Sequence, residues 1–205
     1  INEKIKTYLI IILISFLFSL YLFELYLVYA SERSFRDLDE RIKIYKRLTG
    51  KDYDTRNKIE IYNDLKKQDE NISVAMLWVA ASDKTQQIYR DKLGNELLPL
   101  SGISHSKTIH CNENGYYSIY QSDRYGFNNP DKEWDEKNIE YLLIGDSMVH
   151  GGCVNRPNDI SSVLRNISKK NILNLGQGDT GPLLMYARFR EYLKPNVSNV
   201  LCAHT

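Results

Sequence analysis

The stretch Ile139-Glu140-Tyr141-Leu142-Leu143-Ile144-Gly145-Asp146-Ser147 decides the fold. A short apolar run bounded by glycine reads as a buried strand, and the Gly-Asp-Ser that follows puts a serine hydroxyl at its carboxyl end. Open α/β sheets hold their ligands at that edge. Further along, Asn171 to Leu175 reads as a second strand that turns through Gly176-Gln177-Gly178. The backbone N–H of Gly176 then reaches the same edge, where it would hold the negative oxygen of an ester under attack. Between the strands, Pro157 and Asp159 introduce a helix in which Ile160, Val163, Leu164 and Ile167 share a face. Pro182 sits where a first-turn proline is tolerated. Leu184, Ala187 and Tyr192 belong to that second helix, Pro195 ends it, and Val197 to Leu201 begins a third strand. This βαβαβ order predicts a parallel sheet sandwiched by helices, with right-handed crossovers.

Gly145, Asp146 and Ser147 resemble the first conserved block of the SGNH hydrolases, also called the GDSL family, and Gly176 in Asn174-Leu175-Gly176 resembles the second. Upstream, Ser122-Asp123-Arg124-Tyr125-Gly126-Phe127-Asn128-Asn129-Pro130 is similar to a segment that precedes the first strand in membrane-anchored bacterial members. The resemblance covers the last third of the chain and, more loosely, the stretch from Asp52. It implies a flavodoxin-like three-layer α/β/α fold with Ser147 as nucleophile, and oxyanion donors in the N–H groups of Ser147 and Gly176. Asp146 is expected to fix the loop through backbone N–H groups. His150 is expected to belong to the loop and not to act as base.

Two further blocks of the family are missing from the sequence. No Gly-x-Asn-Asp follows the third strand, which runs into Cys202-Ala203-His204-Thr205, and no aspartate is followed three residues later by histidine. An unassisted serine hydroxyl is a weak nucleophile and needs a base with an orienting partner. The expectation is therefore a C-terminally shortened chain with an incomplete sheet and little activity of its own. Ile1 in place of an initial Met fits a fragmentary reading frame. A sheet cut to three strands would turn an edge meant for burial toward water.

The 205 residues carry 27 basic and 26 acidic side chains, dispersed and not striped, which argues against nucleic acid as partner. Tyr8 to Ala30 is almost wholly apolar and long enough for a bilayer core. Lys4 and Lys6 precede it and Arg33 and Arg36 follow, so charge gives orientation only weakly. The expected division is a cytoplasmic tail over 1–7, a transmembrane helix over 8–30, a helical juxtamembrane stalk over 31–70, a loop-rich prelude over 71–138 and the hydrolase domain over 139–205. The resemblance implies that this last domain lies outside the cytoplasm, periplasmic or extracellular. A cleaved signal peptide ending at Val28-Tyr29-Ala30 is the competing reading. Glu24 lies in the last third of the span, within reach of the headgroups.

In the stalk, Phe35, Leu38, Ile42, Tyr45 and Leu48 recur at helical steps until Gly50, and a second helix over Thr55 to Lys67 has Thr55 as candidate cap. Val74 to Ala81 reads as a buried strand or helix, Leu93-Gly94-Asn95 as a turn, and Asn112 to Tyr120 as hairpin-like. The chain has 15 tyrosines, and those in the loop-rich segment either line a carbohydrate cleft or fill a small core. Arg124 either holds a substrate carboxylate or pairs locally with Asp123. His105 and His110 read as surface or packing residues, while Gln177 and Asp179 either touch substrate or solvate their loop. Gly178 and Gly181 serve backbone conformation. In an oxidising compartment Cys111 would pair with Cys153, since the resemblance packs the upstream segment beside the Ser147 loop. No spacing suits a metal site, and no cofactor is implied.

Three functions follow from these residues. One is an esterase or deacetylase acting on an O-acylated glycan or lipid. Another is an O-acyltransferase using the same serine, and the third is a non-catalytic membrane-anchored binding protein. The partners expected are an ester-bearing small molecule, glycan or lipid, and the membrane through the N-terminal helix. The oligomeric state is left open.

Overall fold

The computed structural model describes residues 3–75, 89–90, 94, 96–97, 99–178 and 180–203, with the side chains of 31–36, 89–90 and 96–97 set aside. The chain divides into two units, Ile1–Tyr53 and Asp54–Thr205.

The first unit is one helix, α1 (Glu3–Thr49), with Gly50 at φ 68° where it stops. Its segment Glu3–Ala30 is long and apolar enough to cross a membrane, and at 28 residues it extends about 42 Å. The expected span and the first helix of the expected stalk are thus a single rod. Nothing in the sequence near Ser31 breaks an α-helix, because neither glycine nor proline occurs between Glu3 and Thr49.

The second unit begins with α2 (Lys58–Lys66), capped by Asn57 and not by Thr55. Asn57 Oδ1 accepts from the N–H groups of Ile59 and Glu60, and the Glu60 carboxylate returns to the Asn57 N–H at 2.7 Å, a reciprocal cap. Ile61 of α2 packs with Ile72 and Ile109 beneath a small sheet. That sheet pairs β1 (Ile72–Val74) parallel to β4 (Lys107–Ile109), which is antiparallel to β5 (Ile119–Gln121). The second helix of the expected stalk therefore belongs to the globular unit. The hairpin expected around Asn112 is the β4–β5 connection. A two-stranded pair, β2 (Tyr89–Arg90) with β3 (Glu96–Leu97), flanks Gly94 at φ 86°, as the turn predicts. Most of Val74 to Ala81 lies outside the described residues.

The last third follows the predicted alternation. Its strands are β6 (Ile139–Gly145), β7 (Ile172–Asn174) and β8 (Val197–Ala203), all parallel, in the order β7-β6-β8. Leu142 and Ile144 of β6 face one core with Phe127, Trp134, Leu173 and Met185, the last from α5 (Pro182–Tyr192). Leu143 faces the opposite side with Val149 and Ile172, against Leu164 of α4 (Ile160–Ser168). Alternate residues of one strand thus serve two layers of helix, the period-two rule of a buried strand. The apolar residues of α4 are not its buried ones. Ile160, Val163 and Ile167 are exposed, whereas Ser161 is fully buried and bonded to Asp159, the helix cap. The hydrogen-bonding side of this helix turns inward, because Arg165 reaches the Ile172 carbonyl and Asn129.

Candidate functional site

Gly145 ends β6 and the chain turns at once into α3 (Ser147–His150). A Cβ on Gly145 would lie 2.3 Å from Val149 Cγ2 and 2.4 Å from the Ala203 carbonyl, so only glycine fits between β8 and the turn. Asp146 accepts from the Met148 N–H at 3.1 Å, the loop-fixing role expected of it. The Gly152 N–H closes back on the Ser147 carbonyl at 2.7 Å. These bonds leave Ser147 exposed at the carboxyl ends of β6 and β8. There strand order reverses, since β7 and β8 lie on opposite sides of β6.

The second turn lies directly against the first. The Gln177 N–H donates to the Gly145 carbonyl at 3.2 Å, and a Cβ on Gly176 would lie 2.3 Å from the His150 nitrogen. That contact corrects the expectation for Gly176. Its N–H is buried and donates to Asn174 Oδ1 at 2.7 Å, so it is not presented beside Ser147. Gly178 stands there instead: a Cβ on it would meet only the Ser147 Cβ, at 3.8 Å. The Gly178 N–H is held at 3.3 Å by His150 Nδ1.

His150 is sealed in the interior and stacks on His110 with ring centroids 4.3 Å apart. Because Nδ1 accepts from Gly178, the ring proton is assigned to Nε2, which lies 3.1 Å from the Tyr120 hydroxyl. Burial, then the neighbouring His110 and Arg188, push its pKa well below the usual imidazole range. With both nitrogens engaged, His150 organises the turns and is not poised as a base for Ser147. Among the described residues no base is hydrogen-bonded to the Ser147 hydroxyl.

The segment from Ser122 to Pro130 braces both turns from beneath. Asp123 is fully buried and accepts four hydrogen bonds, from the N–H groups of Tyr125 and Phe127, from Asn129 Nδ2 and from Trp134 Nε1. Burial raises its pKa and these donors oppose the rise. Asn129 then spans to β7, donating to the Asn174 carbonyl and accepting from the Asn174 N–H, each at 2.9 Å. Asn128 Nδ2 holds the His150 carbonyl at 2.9 Å. Arg124 is bound by Asp131 and Asp135, not by Asp123, and Asp131 is held down to about 2 by that guanidinium. The Cys111–Cys153 disulfide is formed and ties the β4–β5 connection to the loop after α3.

The other sequence candidates fall away from the rim. Gln177 is buried, His105 is exposed on a loop at φ 48°, and His110 stacks on His150. Asp179 and His204 lie outside the described residues. No cluster of metal-ligating side chains occurs among the described residues. Sequence reasoning noted Asn128, Asn129 and Asn174 only as parts of motifs and gave Tyr120 no role, because what these side chains do depends on partners distant along the chain. The Gly-Gln-Gly spacing was the available signal for Gly178, because a second glycine after a tight turn frees backbone for a neighbour. Comparisons with family models, with curated proteins and with solved structures found no match.

Proposed function

We propose that the globular unit is an SGNH-type acyl-ester-processing domain, tethered to a membrane by α1 and held outside the cytoplasm, with Ser147 as nucleophile. The observation that carries this reading is Ser147, exposed at the rim where strand order reverses, with Gly178 facing it so closely that a Cβ there would lie 3.8 Å from Ser147 Cβ. The order β7-β6-β8 with helices on both faces fits the opening of a flavodoxin-like sheet. The disulfide favours an oxidising compartment, and the apolar rod supports the tether.

In this reading Ser147 attacks the ester carbonyl and gives its proton to a base from outside the described residues, and the oxyanion is held by the Ser147 and Gly178 N–H groups. Its collapse breaks the ester C–O bond, the departing alcohol takes the proton, and an acyl-serine remains for water or a hydroxyl to cleave. The Gly178 donor is then shared with, or released from, His150 Nδ1. The substrate is an O-acylated glycan or lipid, and the acceptor is water or a sugar hydroxyl. The test is labelling by a fluorophosphonate in membranes of the producing cell, followed by peptide mass spectrometry. An adduct on Ser147 that vanishes in Ser147→Ala is expected; a folded protein that takes none overturns the nucleophile. That outcome favours a non-catalytic binding protein, a reading supported by the engaged amides of both Gly176 and Gly178.

A further inference from the structure

A cleft of about 520 Å³ opens between α2 and the β4–β5 connection, and none of its lining residues belongs to the Ser147 or Gly178 turns. Its lining includes the aliphatic side chains of Ile61, Leu65 and Ile119 and the rings of Tyr116 and Tyr117. Arg56, Asp54 and Asp64 also line it. Arg56 Nη1 meets Asp64 Oδ2 at 2.9 Å, while Nε and Nη2 fork onto the two Asp54 oxygens at 2.9 and 2.7 Å. The backbone at Asp54 and Arg56 is pinned as well. The Asp54 N–H donates to Gly115, Asn112 Nδ2 to the Asp54 carbonyl, and the Tyr117 hydroxyl to the Arg56 carbonyl.

We propose that this cleft binds a neutral glycan. Three features point to that chemistry. The charged groups lining it balance, Asp54 and Asp64 against Arg56 and Lys67, and the guanidinium is already committed to two carboxylates, so no cation is offered to an anionic ligand. Tyr116 is exposed, giving an aromatic face on which the C–H side of a sugar ring stacks with little entropy to lose. Carboxylate oxygens held by an ion-pair network keep lone pairs in fixed directions, and acceptors fixed in advance suit the fixed hydroxyls of a pyranose. The disulfide adds to this preorganisation by anchoring the connection that carries Tyr116.

The site stands apart from any chemistry at Ser147, so its test needs no turnover. The full chain, in a detergent without a sugar headgroup, is titrated with chitopentaose, cellopentaose and maltopentaose by saturation-transfer NMR and calorimetry, with polygalacturonate as the anionic comparison. Binding of at least one neutral pentasaccharide is expected. Affinity should fall tenfold or more in Tyr116→Ala and in Asp64→Asn, and stay unchanged in Tyr186→Ala on α5. Absence of binding by all three at millimolar concentration overturns the proposal. So does equal affinity in Tyr116→Ala, or a preference for polygalacturonate.

Discussion

Gly145 and Gly176 are the residues on which the two turns meet, and their replacement separates geometry from chemistry. An added methyl at either would drive into backbone, 2.4 Å from the Ala203 carbonyl for Gly145 and 2.3 Å from the His150 nitrogen for Gly176. Each alanine variant is expected to lose on the order of 1–3 kcal/mol in urea denaturation, the usual cost of overpacking. Gly178→Ala meets only Ser147 Cβ at ordinary contact distance and should melt within about 0.5 kcal/mol of the parent, the range of an uncrowded substitution. At the same scale His150 writes a pH signature. Its folded pKa is depressed by burial, so between that value and the unfolded one near 6.5 the unfolded chain carries the extra proton. Stability from this group is therefore complete above pH 6.5 and falls on acidification, by up to about 1.4 kcal/mol per pH unit. Urea midpoints taken between pH 7.5 and 5 should show that slope, and His150→Gln should flatten it; an unchanged slope would return the effect to the carboxylates. The Gly-Gln-Gly spacing offers Gly178 as a second candidate, but the choice between it and Gly176 depends on where the Asn174 side chain turns, which the sequence does not give.

Among the elements, those fixed by local rules could be read directly. The apolar run of β6, the Asp159 cap of α4 and the Pro182 start of α5 all appear where their residues place them. Elements whose faces depend on distant polar partners could not. The apolar residues of α4 mark one side of a helix, but periodicity does not reveal that Asn129 and the Ile172 carbonyl will claim Arg165 on the other. The Ser122 to Pro130 segment is the extreme case, a loop by composition and a brace by hydrogen bonding. Asn129→Ala should expose this role. It strands the Asn174 N–H in the interior and leaves Asp123 Oδ2 with Trp134 Nε1 as its remaining donor, and a loss on the order of 1–3 kcal/mol for such an orphaned group is expected in thermal or urea melts. Asn63→Ala, on the exposed side of α2, provides the neutral comparison.

For the whole molecule the disulfide and the rod set the terms. Cys111 and Cys153 are 42 residues apart, and cross-linking a loop of that length restricts the unfolded chain by about 4 kcal/mol in the chain-entropy treatment. Reduction, or Cys153→Ser, should lower stability by up to that amount and unfasten the connection carrying Tyr116. Cys202 is a free, exposed thiol on β8 and reports topology. On intact cells opened to their outer face, a membrane-impermeant maleimide should modify it if the globular unit is extracytoplasmic; modification only after lysis would reverse the proposed orientation. An apolar helix followed by an α/β part was expected from hydropathy and strand pattern, with the stalk running to residue 70, whereas the two units part after Tyr53. Ile61 explains the difference, since one buried isoleucine recruits α2 into the core of the small sheet.

Strand β8 flanks the parallel sheet on its outer side, and nearly all of its residues are open to solvent. Among the described residues no strand pairs with its outer edge, and backbone donors and acceptors on such an edge form a template that another extended segment can copy. The expected failure of this unit in solution is therefore association between copies. Storage life should shorten as concentration rises, at temperatures well short of melting, and a proline set into the rail at Val200 should lengthen it.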